Sequence, residues 1–229
     1  MGEGLKGKVA VIVFPGSNCD RDMYKILRDK FNVDASLHWH ADALPQGLDG
    51  IVFPGGFTYG DRLRAGAIAS HSPIIDQVKP LIEKGMPVLG VCNGFQILTE
   101  ARILPGALLK NDSLKFMCDR TEITVSNNNT PFTSRLKVGE RIPISIANGE
   151  GKYYINQENL ALLKRNNQIV FSYGSDINGS TERIAGVCNE QGNVVGLMPH
   201  PERAADAILN PGRNRPAELI FESFLDAIR

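Results

Sequence analysis

Apolar runs of strand length recur through the first half of the chain, with amphipathic or polar segments between them. A continuous apolar run closed by proline or glycine is typical of a strand that is buried on both faces of a parallel sheet. The runs that fit this pattern lie at residues 8–14, 33–39, 50–53 and 87–91. The intervening segments predict helices, one ending near Lys30 and one over residues 73–84, which Pro80 should kink or interrupt. Strands that alternate with helices predict a parallel sheet joined by right-handed crossovers.

The pattern changes from Glu122 onward. Short apolar and β-branched runs are now separated by turns rich in Asn, Gly and Ser, which favours hairpins or an antiparallel extension of the sheet. These runs lie at residues 122–125, 141–146, 168–173, 183–188 and 194–198. Apolar periodicity over residues 217–228 predicts a closing amphipathic helix. We therefore expect one α/β domain over residues 1–229, with an open, mostly parallel sheet flanked by helices and an antiparallel extension in the second half.

The charge balance argues against two classes of partner. The 229 residues carry 25 basic and 25 acidic side chains, so the formal charge is zero. No general electrostatic attraction to nucleic acid or to anionic lipid is therefore expected. The longest uninterrupted apolar run, residues 9–14, is far shorter than the ~20 residues of a membrane-spanning helix, and no secretory leader pattern opens the sequence. These features predict a cytoplasmic protein.

The cysteines and histidines do not form a sequence motif for metal binding. The four cysteines are widely separated, at Cys19, Cys92, Cys118 and Cys188. Without a C-x-x-C pair they indicate neither a zinc site nor a disulfide framework, and a reducing compartment is expected. His38 and His40 would share one face of a strand, but a metal pair would need further ligands, so a surface or interface role is favoured. The chain contains neither common phosphate-loop motif, so no nucleotide cofactor is expected in it.

Residues 87–98 predict a strand, a sharp turn and a helix, with Cys92 at the turn. Gly90 and Gly94 flank the cysteine at the spacing of a nucleophile elbow, where small residues relieve backbone crowding. A thiol at the start of a helix also feels the positive end of the helix dipole, which favours the nucleophilic thiolate. Cys92 is therefore the candidate nucleophile. The alternative is a buried structural cysteine.

A second candidate group lies near the end of the chain, where Pro199 and Pro201 flank His200 and Glu202 follows. Proline favours an extended conformation in the residue before it, so residues 199–202 are predicted to be extended, with His200 and Glu202 on one face. A carboxylate bonded to one imidazole nitrogen leaves the other to accept a thiol proton. The alternatives are a structural histidine and a first-turn carboxylate of the following helix.

Paired glycines after the strand at 50–53 give a third candidate element. Gly55 and Gly56 can direct backbone N–H groups into the crevice at the carboxyl end of the sheet. Such donors would form an oxyanion hole beside Cys92. A tight turn without a chemical role is the alternative.

Three segments together resemble the class I (triad) glutamine amidotransferases: Pro-Gly-Gly at 54–56, Gly-Val-Cys-Asn-Gly-Phe-Gln at 90–96 and Pro-His-Pro-Glu at 199–202. The resemblance implies that Cys92 attacks the side-chain amide of L-glutamine, that His200 carries the proton to ammonia, and that Glu202 orients the imidazole. It also implies an oxyanion hole formed by the backbone N–H groups of Gly56 and Asn93. The substrate-binding positions that it implies are Gly55, Phe57 and Gln96.

Two further segments, Ser-Asn-Cys-Asp at 17–20 and Phe-Thr-Tyr-Gly-Asp at 57–61, resemble the branch of this family that serves purine biosynthesis. That resemblance implies a synthetase partner, which would bind ATP and magnesium and use the ammonia to amidate formylglycinamide ribonucleotide, and a small accessory subunit. Relatives usually carry histidine before Gly-Glu-Gly, where this chain has Asn148. Asparagine does not change charge near neutral pH, so the resemblance does not extend to a proton-carrying role there.

Two other functions compete with this interpretation. The chain could be a stand-alone thiol hydrolase that acts on γ-glutamyl or peptide bonds, or a binding subunit without activity. The presence of a nucleophile, a base and an orienting acid disfavours the second alternative. Under the leading hypothesis, we expect residues 57–64 to lie at an interface near the active site, through which ammonia would pass.

Overall fold

A nine-stranded mixed sheet forms the centre of the computed structural model, which describes residues 5–206 and 216–228. Numbered along the chain, the strands of this sheet are β1 (Lys6–Val13), β2 (Val33–Trp39), β3 (Gly50–Phe53), β4 (Val88–Val91), β6 (Met117–Val125), β7 (Arg141–Asn148), β9 (Ile169–Tyr173), β10 (Ile184–Cys188) and β11 (Val194–Leu197). Their order across the sheet is β2-β1-β3-β4-β11-β10-β9-β6-β7. A separate antiparallel pair consists of β5 (Ala107–Leu109) and β8 (Lys152–Tyr154).

The sheet has a parallel half and an antiparallel half. The pairs β1–β2, β1–β3, β3–β4 and β4–β11 are parallel, whereas β11–β10, β10–β9, β9–β6 and β6–β7 are antiparallel. The predicted fold class, a mostly parallel α/β sheet with an antiparallel extension, is confirmed. Strand β11 is an exception to the predicted division between a parallel first half of the chain and an antiparallel second half. It comes late in the chain, yet it pairs in parallel with β4.

Helices cover the sheet, and none in the described ranges has the length and apolar character needed to cross a membrane. They are α1 (Asp20–Lys25), which continues as a π-helical turn over Ile26–Lys30, α2 (Pro73–Glu83), α3 (Asn93–Glu100), α4 (Gln157–Arg165) and α5 (Pro216–Ala227). The predicted interruption at Pro80 is wrong, since α2 runs through it. Pro80 lies on the exposed face, where water can bond the carbonyl that proline leaves without a donor, while Ile75 and Val78 hold the other face on the core.

Strand register brings the three predicted motifs to one edge of the sheet. Gly90 of β4 pairs with Phe53 of β3 on one side and with Gly196 of β11 on the other. The carboxyl ends of these three parallel strands therefore lie side by side, and the residues that follow each strand share one crevice.

Helix α3 lies very close to this part of the sheet because glycines remove side chains from the contact. A Cβ on Gly94 would lie 1.9 Å from the Phe53 carbonyl oxygen, and a Cβ on Gly90 would lie 2.5 Å from a methyl group of Leu98. The Phe53 clash involves backbone, which cannot move without displacing a central strand. Glycine at position 94 is therefore required by packing.

We expect Gly94→Ala to lower the free energy of unfolding by about 3 kcal/mol or more, because the added methyl group overpacks a rigid contact. Urea unfolding followed by circular dichroism measures this loss. Gly174→Ala is the matched control, since its Cβ would lie 3.4 Å from its nearest neighbour, the Glu122 carbonyl oxygen. Equal stability of the two variants would contradict the packing argument.

Candidate active site

Cys92 occupies a strained turn between β4 and α3. Its backbone has φ 51° and ψ −108°, a conformation that is costly for a residue with a side chain. Hydrogen bonds hold it on both sides, from Cys92 N–H to the Leu197 carbonyl (2.8 Å) and from Gln96 N–H to the Cys92 carbonyl (3.1 Å). The side chain is buried, and its thiol donates to the carbonyl of Ala147 at 3.6 Å. Strand and helix thus present the sulfur at the crevice, as the elbow pattern predicts.

His200 and Glu202 form a buried pair beyond the end of β11. His200 Nδ1 lies 2.6 Å from Glu202 Oε1, and both residues are 1% exposed. The backbone N–H of His200 donates to the Ser145 carbonyl at 2.9 Å. The predicted contact is present, but the extended conformation predicted throughout residues 199–202 is wrong. His200 is extended, whereas Pro201–Arg203 form a 3-10 turn, and this turn folds the carboxylate back onto the imidazole.

The nucleophile and the histidine pair converge over Gly55. A Cβ on Gly55 would lie 2.8 Å from His200 Cε1, 3.1 Å from Cys19 Sγ and 3.4 Å from Cys92 Cβ. Any larger residue at this position would therefore push the side chains of His200, Cys19 and Cys92 apart. This is a steric reason for glycine at a position that the sequence resemblance assigned to substrate binding.

The electrostatics favour a charged imidazole in this pair. Burial opposes protonation, yet the negative charges of Glu202 and of the Cys92 sulfur raise the pKa of His200 well above its ordinary value. His200 Nε2 is buried and has no hydrogen-bond partner among the described residues. Because Nδ1 is occupied by Glu202, Nε2 is the nitrogen left to exchange a proton with a reacting group.

The two residues proposed for an oxyanion hole adjoin the crevice, since Gly56 lines the same cavity as Cys92 and Asn93 directly follows Cys92. An isolated β-bridge joins Ser17 to Gly56, with bonds from Asn18 N–H to the Gly55 carbonyl (3.2 Å) and from Phe57 N–H to the Gly16 carbonyl (2.9 Å). The Gly56 N–H takes no part in these bonds. Asn93 is the first residue of α3, where an N–H has no partner within the helix. The role of both groups stays a prediction.

A hydrogen-bond chain of side-chain amides braces the crevice. Asn93 Nδ2 donates to Gln96 Oε1 at 2.8 Å, and Gln96 Nε2 donates to the Glu150 carbonyl at 2.8 Å. Thr58 N–H donates to Asn93 Oδ1 at 3.1 Å. Asn93 and Gln96 together therefore connect α3 to the loop that carries Thr58 and to the loop that carries Glu150.

A cavity of about 360 Å³ opens beside Cys92. Its lining includes four of the predicted site residues, namely Gly56, Phe57, Cys92 and Gln96. Asn148 also lines it, and this side chain is buried with neither amide atom hydrogen-bonded within the described residues. The Phe57 ring lies at the rim, 6.0 Å from the ring of Phe116. The position that carries asparagine in place of histidine thus faces the cavity.

Sequence reasoning gave no role to Cys19 and Arg203, which flank the histidine pair. Arg203 Nη2 donates to Cys19 Sγ at 3.1 Å. The potential metal-ligating atoms of Cys19, His200 and Glu202 lie within 4.8 Å of one another. The guanidinium charge against the sulfur opposes a cation at this point, so we interpret the cluster as the surroundings of the histidine. Cys19 occurs in one segment that carried the sequence resemblance, residues 17–20, and Arg203 directly follows another, residues 199–202.

The two histidines of β2 lie in different environments. The His40 ring is buried, contacts Ser72 Oγ through Nδ1 at 2.7 Å and stacks on Phe14, with ring centroids 4.9 Å apart. Burial lowers its pKa, and the nearby charge of Asp42 opposes this effect. His38 Nε2 lies 3.4 Å from the Asp42 carbonyl at the exposed end of the strand. His40 thus has a packing role against Phe14 and Ser72.

Comparisons with known proteins agree with this geometry. The family model of the CobB/CobQ-like glutamine amidotransferase domain matches residues 6–224. The chain is 49% identical over 218 residues to a protein of Alkaliphilus metalliredigens named phosphoribosylformylglycinamidine synthase subunit PurQ, a match that covers 95% of each chain. A Methanosarcina mazei protein of the same name is 49% identical over 230 residues, covering 96% of this chain and 98% of the relative.

A solved structure shows the same fold. The chain is similar to one in a structure described as PurLQS from Thermotoga maritima, with 42% sequence identity and a TM-score of 0.88. The similarity covers 98% of this chain and 100% of the matched chain. Sequence and fold are therefore shared over essentially their full lengths.

Proposed function

Because the chain belongs to the CobB/CobQ-like glutamine amidotransferase family, we propose that it is the glutaminase subunit of a phosphoribosylformylglycinamidine synthase. It hydrolyses L-glutamine to L-glutamate and ammonia within one amidotransferase domain over residues 1–229. The observation that carries this proposal is the convergence of Cys92 and the His200–Glu202 pair over Gly55. The relatives named for this subunit match the chain nearly from end to end, which supports the specific assignment.

The reaction begins when the Cys92 thiolate attacks the side-chain carboxamide carbon of glutamine, forming a C–S bond. The oxyanion of the tetrahedral intermediate accepts hydrogen bonds from the N–H groups of Gly56 and Asn93. A donor of this kind is typically worth ~3–4 kcal/mol of barrier. The raised pKa of His200 favours its protonated form, which can give its proton to the departing nitrogen as the C–N bond breaks.

A glutamyl thioester and ammonia result from this first half. Water then attacks the thioester carbon, His200 accepts the proton of the water, and the C–S bond breaks to release glutamate and regenerate the thiolate. Glu202 bonds to Nδ1 throughout and keeps Nε2 directed at the reacting groups. Cys92, His200 and Glu202 supply the nucleophile and the proton transfers for each of these steps.

The ammonia passes to a synthetase subunit that binds ATP and magnesium and amidates formylglycinamide ribonucleotide, in a complex with a small accessory subunit. The similar Thermotoga maritima structure is described as PurLQS, which supports such an assembly. Exposed apolar side chains near the cavity provide a docking surface: Phe57, Leu63, Leu114 and Phe116. We place the reaction in the cytoplasm, where a catalytic thiol stays reduced.

The test uses the complex reconstituted with its synthetase. A glutamine-like diazoketone, 6-diazo-5-oxo-L-norleucine, should alkylate Cys92, add its mass to the chain without dinitrogen, and abolish glutamine-dependent but not ammonia-dependent amidation. Peptide mapping by mass spectrometry locates the adduct. Labelling of another cysteine would overturn the assignment of the nucleophile. If the free chain, without a synthetase, turned over γ-glutamyl peptides as fast as glutamine, the stand-alone thiol hydrolase would be favoured.

A further inference from the structure

A buried cysteine next to His200 has no role in the reaction steps. Cys19 is 2% exposed and lies immediately before α1. Its sulfur accepts a hydrogen bond from Arg203 Nη2 at 3.1 Å. Sulfur is a weak acceptor, but a bond from a charged guanidinium is stronger than one from a neutral donor. Arg203 therefore holds a thiol that neither attacks the substrate nor transfers a proton.

Backbone bonds place the Cys19 sulfur near the imidazole of His200. Cys19 N–H donates to the Gly55 carbonyl at 3.0 Å, and the Cys19 carbonyl accepts Met23 N–H at 2.9 Å. A Cβ on Gly55 would lie 3.1 Å from Cys19 Sγ and 2.8 Å from His200 Cε1. Both groups therefore border the space that the missing side chain of Gly55 leaves. The potential ligating atoms of Cys19 and His200 lie within 4.8 Å of each other.

Arg203 donates to this sulfur and forms no salt bridge with a carboxylate in the described part of the chain. Its backbone N–H donates to the His200 carbonyl at 3.3 Å, which keeps the 3-10 turn against the histidine. Burial lowers the pKa of Arg203, while Cys19, Glu202 and Asp22 raise it above its ordinary value. The guanidinium therefore stays charged, and it remains a strong donor to the sulfur.

The His200 ring is fixed by a hydrogen bond at one atom only. Nδ1 lies 2.6 Å from Glu202 Oε1, whereas Nε2 has no partner among the described residues. A ring with one bond can tilt about that contact, yet a reacting group must stay within about 0.5 Å of its productive position. Side chains from three elements interact with the ring: Cys92 after β4, Glu202 from the 3-10 turn and Cys19 before α1. Of these, only Cys19 neither reacts nor bonds Nδ1, so its contact serves to limit the tilt.

We propose that Cys19 is a positioning residue, whose sulfur is held by Arg203 against the His200 imidazole and keeps Nε2 directed at Cys92. This inference rests on the proposed function and extends the machinery beyond the three triad residues. Neither Cys19 nor Arg203 lines the cavity beside Cys92, so both act through the imidazole and not through substrate binding. Changes at either residue should therefore lower kcat and leave KM nearly unchanged.

The first experiment measures glutamine-dependent turnover in the complex reconstituted with its synthetase. Cys19→Ala removes the sulfur, so kcat should fall about 10–100-fold, the range expected for a small displacement of a reacting group, with KM within about twofold. Cys19→Ser keeps a small side chain that can accept the Arg203 bond, and it should restore kcat to within about fivefold of the wild type. Circular dichroism and co-elution with the synthetase verify that each variant is folded and assembled.

The second measurement follows the charge of His200 by NMR titration. Burial lowers the pKa of His200, and Glu202, Cys92 and Cys19 raise it. Loss of the Cys19 contact should therefore lower this pKa. The alkaline limb of the kcat profile should move to lower pH with it, because protonated His200 gives its proton to the departing ammonia. A purely structural role for Cys19 would reduce stability without moving either curve.

Arg203→Gln tests whether the guanidinium acts through the sulfur. An uncharged amide is a weaker donor, so this variant should lower kcat about 5–10-fold. The double variant Cys19→Ala/Arg203→Gln should stay within about threefold of Cys19→Ala alone, because the guanidinium then has no sulfur to hold. If the two losses multiply, Arg203 acts independently of Cys19 and the inference is overturned.

Cys188→Ala is the matched control, because Cys188 is also 2% exposed, lies on β10 and does not line the cavity beside Cys92. It should lower the melting temperature as Cys19→Ala does, yet leave kcat, KM and the His200 titration unchanged. If Cys19→Ala keeps the wild-type kcat and His200 titration, or raises KM more than it lowers kcat, the inference is overturned while the glutaminase assignment stands. A wild-type complex that releases no glutamate from glutamine would instead refute the proposed function.

Discussion

Replacing Cys92 with alanine should lower glutamine-dependent activity by about 10⁶-fold, the loss typical of removing the nucleophile from a catalytic triad. Alanine keeps the Cβ and removes only the sulfur, so the turn between β4 and α3 should persist. Without the sulfur no thioester forms, and His200 and Glu202 have no attacking group to activate. Amidation with added ammonium chloride should continue at the wild-type rate, because it bypasses the glutaminase step.

The measurement follows glutamate release and amidated product separately in the reconstituted complex. Cys118→Ala is the control, since Cys118 is an exposed cysteine on β6 that does not line the cavity beside Cys92. It should behave as the wild type with both nitrogen sources. Retention of more than ~1% of the glutamine-dependent rate in Cys92→Ala would exclude Cys92 as the nucleophile. A loss of about 100-fold or less is far smaller than the loss caused by removing the nucleophile of a catalytic triad.

Replacing Glu202 with glutamine should lower kcat by about 10³–10⁴-fold while the fold is kept, because glutamine has nearly the same shape without the charge. The negative charge of the Glu202 carboxylate opposes the lowering of the His200 pKa by burial. Once it is removed, burial lowers the pKa of His200, and the protonated form needed for ammonia departure becomes scarce at neutral pH. The amide can also donate to Nδ1, which places the remaining proton on the wrong nitrogen.

A pH profile of kcat and NMR titration of His200 measure this effect directly. Glu218→Gln is the control, because Glu218 is another buried carboxylate, 2.6 Å from Lys30 Nζ. It should reduce stability and leave kcat within about twofold, since neither Glu218 nor Lys30 lines the cavity beside Cys92. An unchanged His200 titration in Glu202→Gln would show that the carboxylate does not set the charge of the imidazole.

Local features of the sequence account for much of the site. The glycines around Cys92 and the prolines around His200 affect the backbone of their immediate neighbours. The turn at Cys92 and the His200–Glu202 pair could therefore both be recognised from short segments of the sequence. The insertion of β11 beside β4 is a long-range pairing, and its register depends on the whole sheet. No local pattern in the sequence joins these two segments, and only the family resemblance predicts that they meet.

Long-range packing also determines the features that the sequence did not predict. Asp61 is one acidic residue in a Gly-rich segment, and its place in the cavity depends on the backbone conformation and on Glu150 in a distant loop. Strands β5 and β8 have three residues each and exist only because they pair. Helix α4 did have a local signal, since Asn156 caps it by accepting the N–H of Asn159 at 2.9 Å.

The strand order has a consequence for how the protein is made. Strand β11 fills the gap between β4 and β10, so a nascent chain that has not yet reached residue 194 leaves the strand before the nucleophile with a bare edge. Such an edge invites association with other chains. The thiol of Cys92 and the imidazole of His200 can therefore meet only after the segment that carries β11 and His200 has been synthesised.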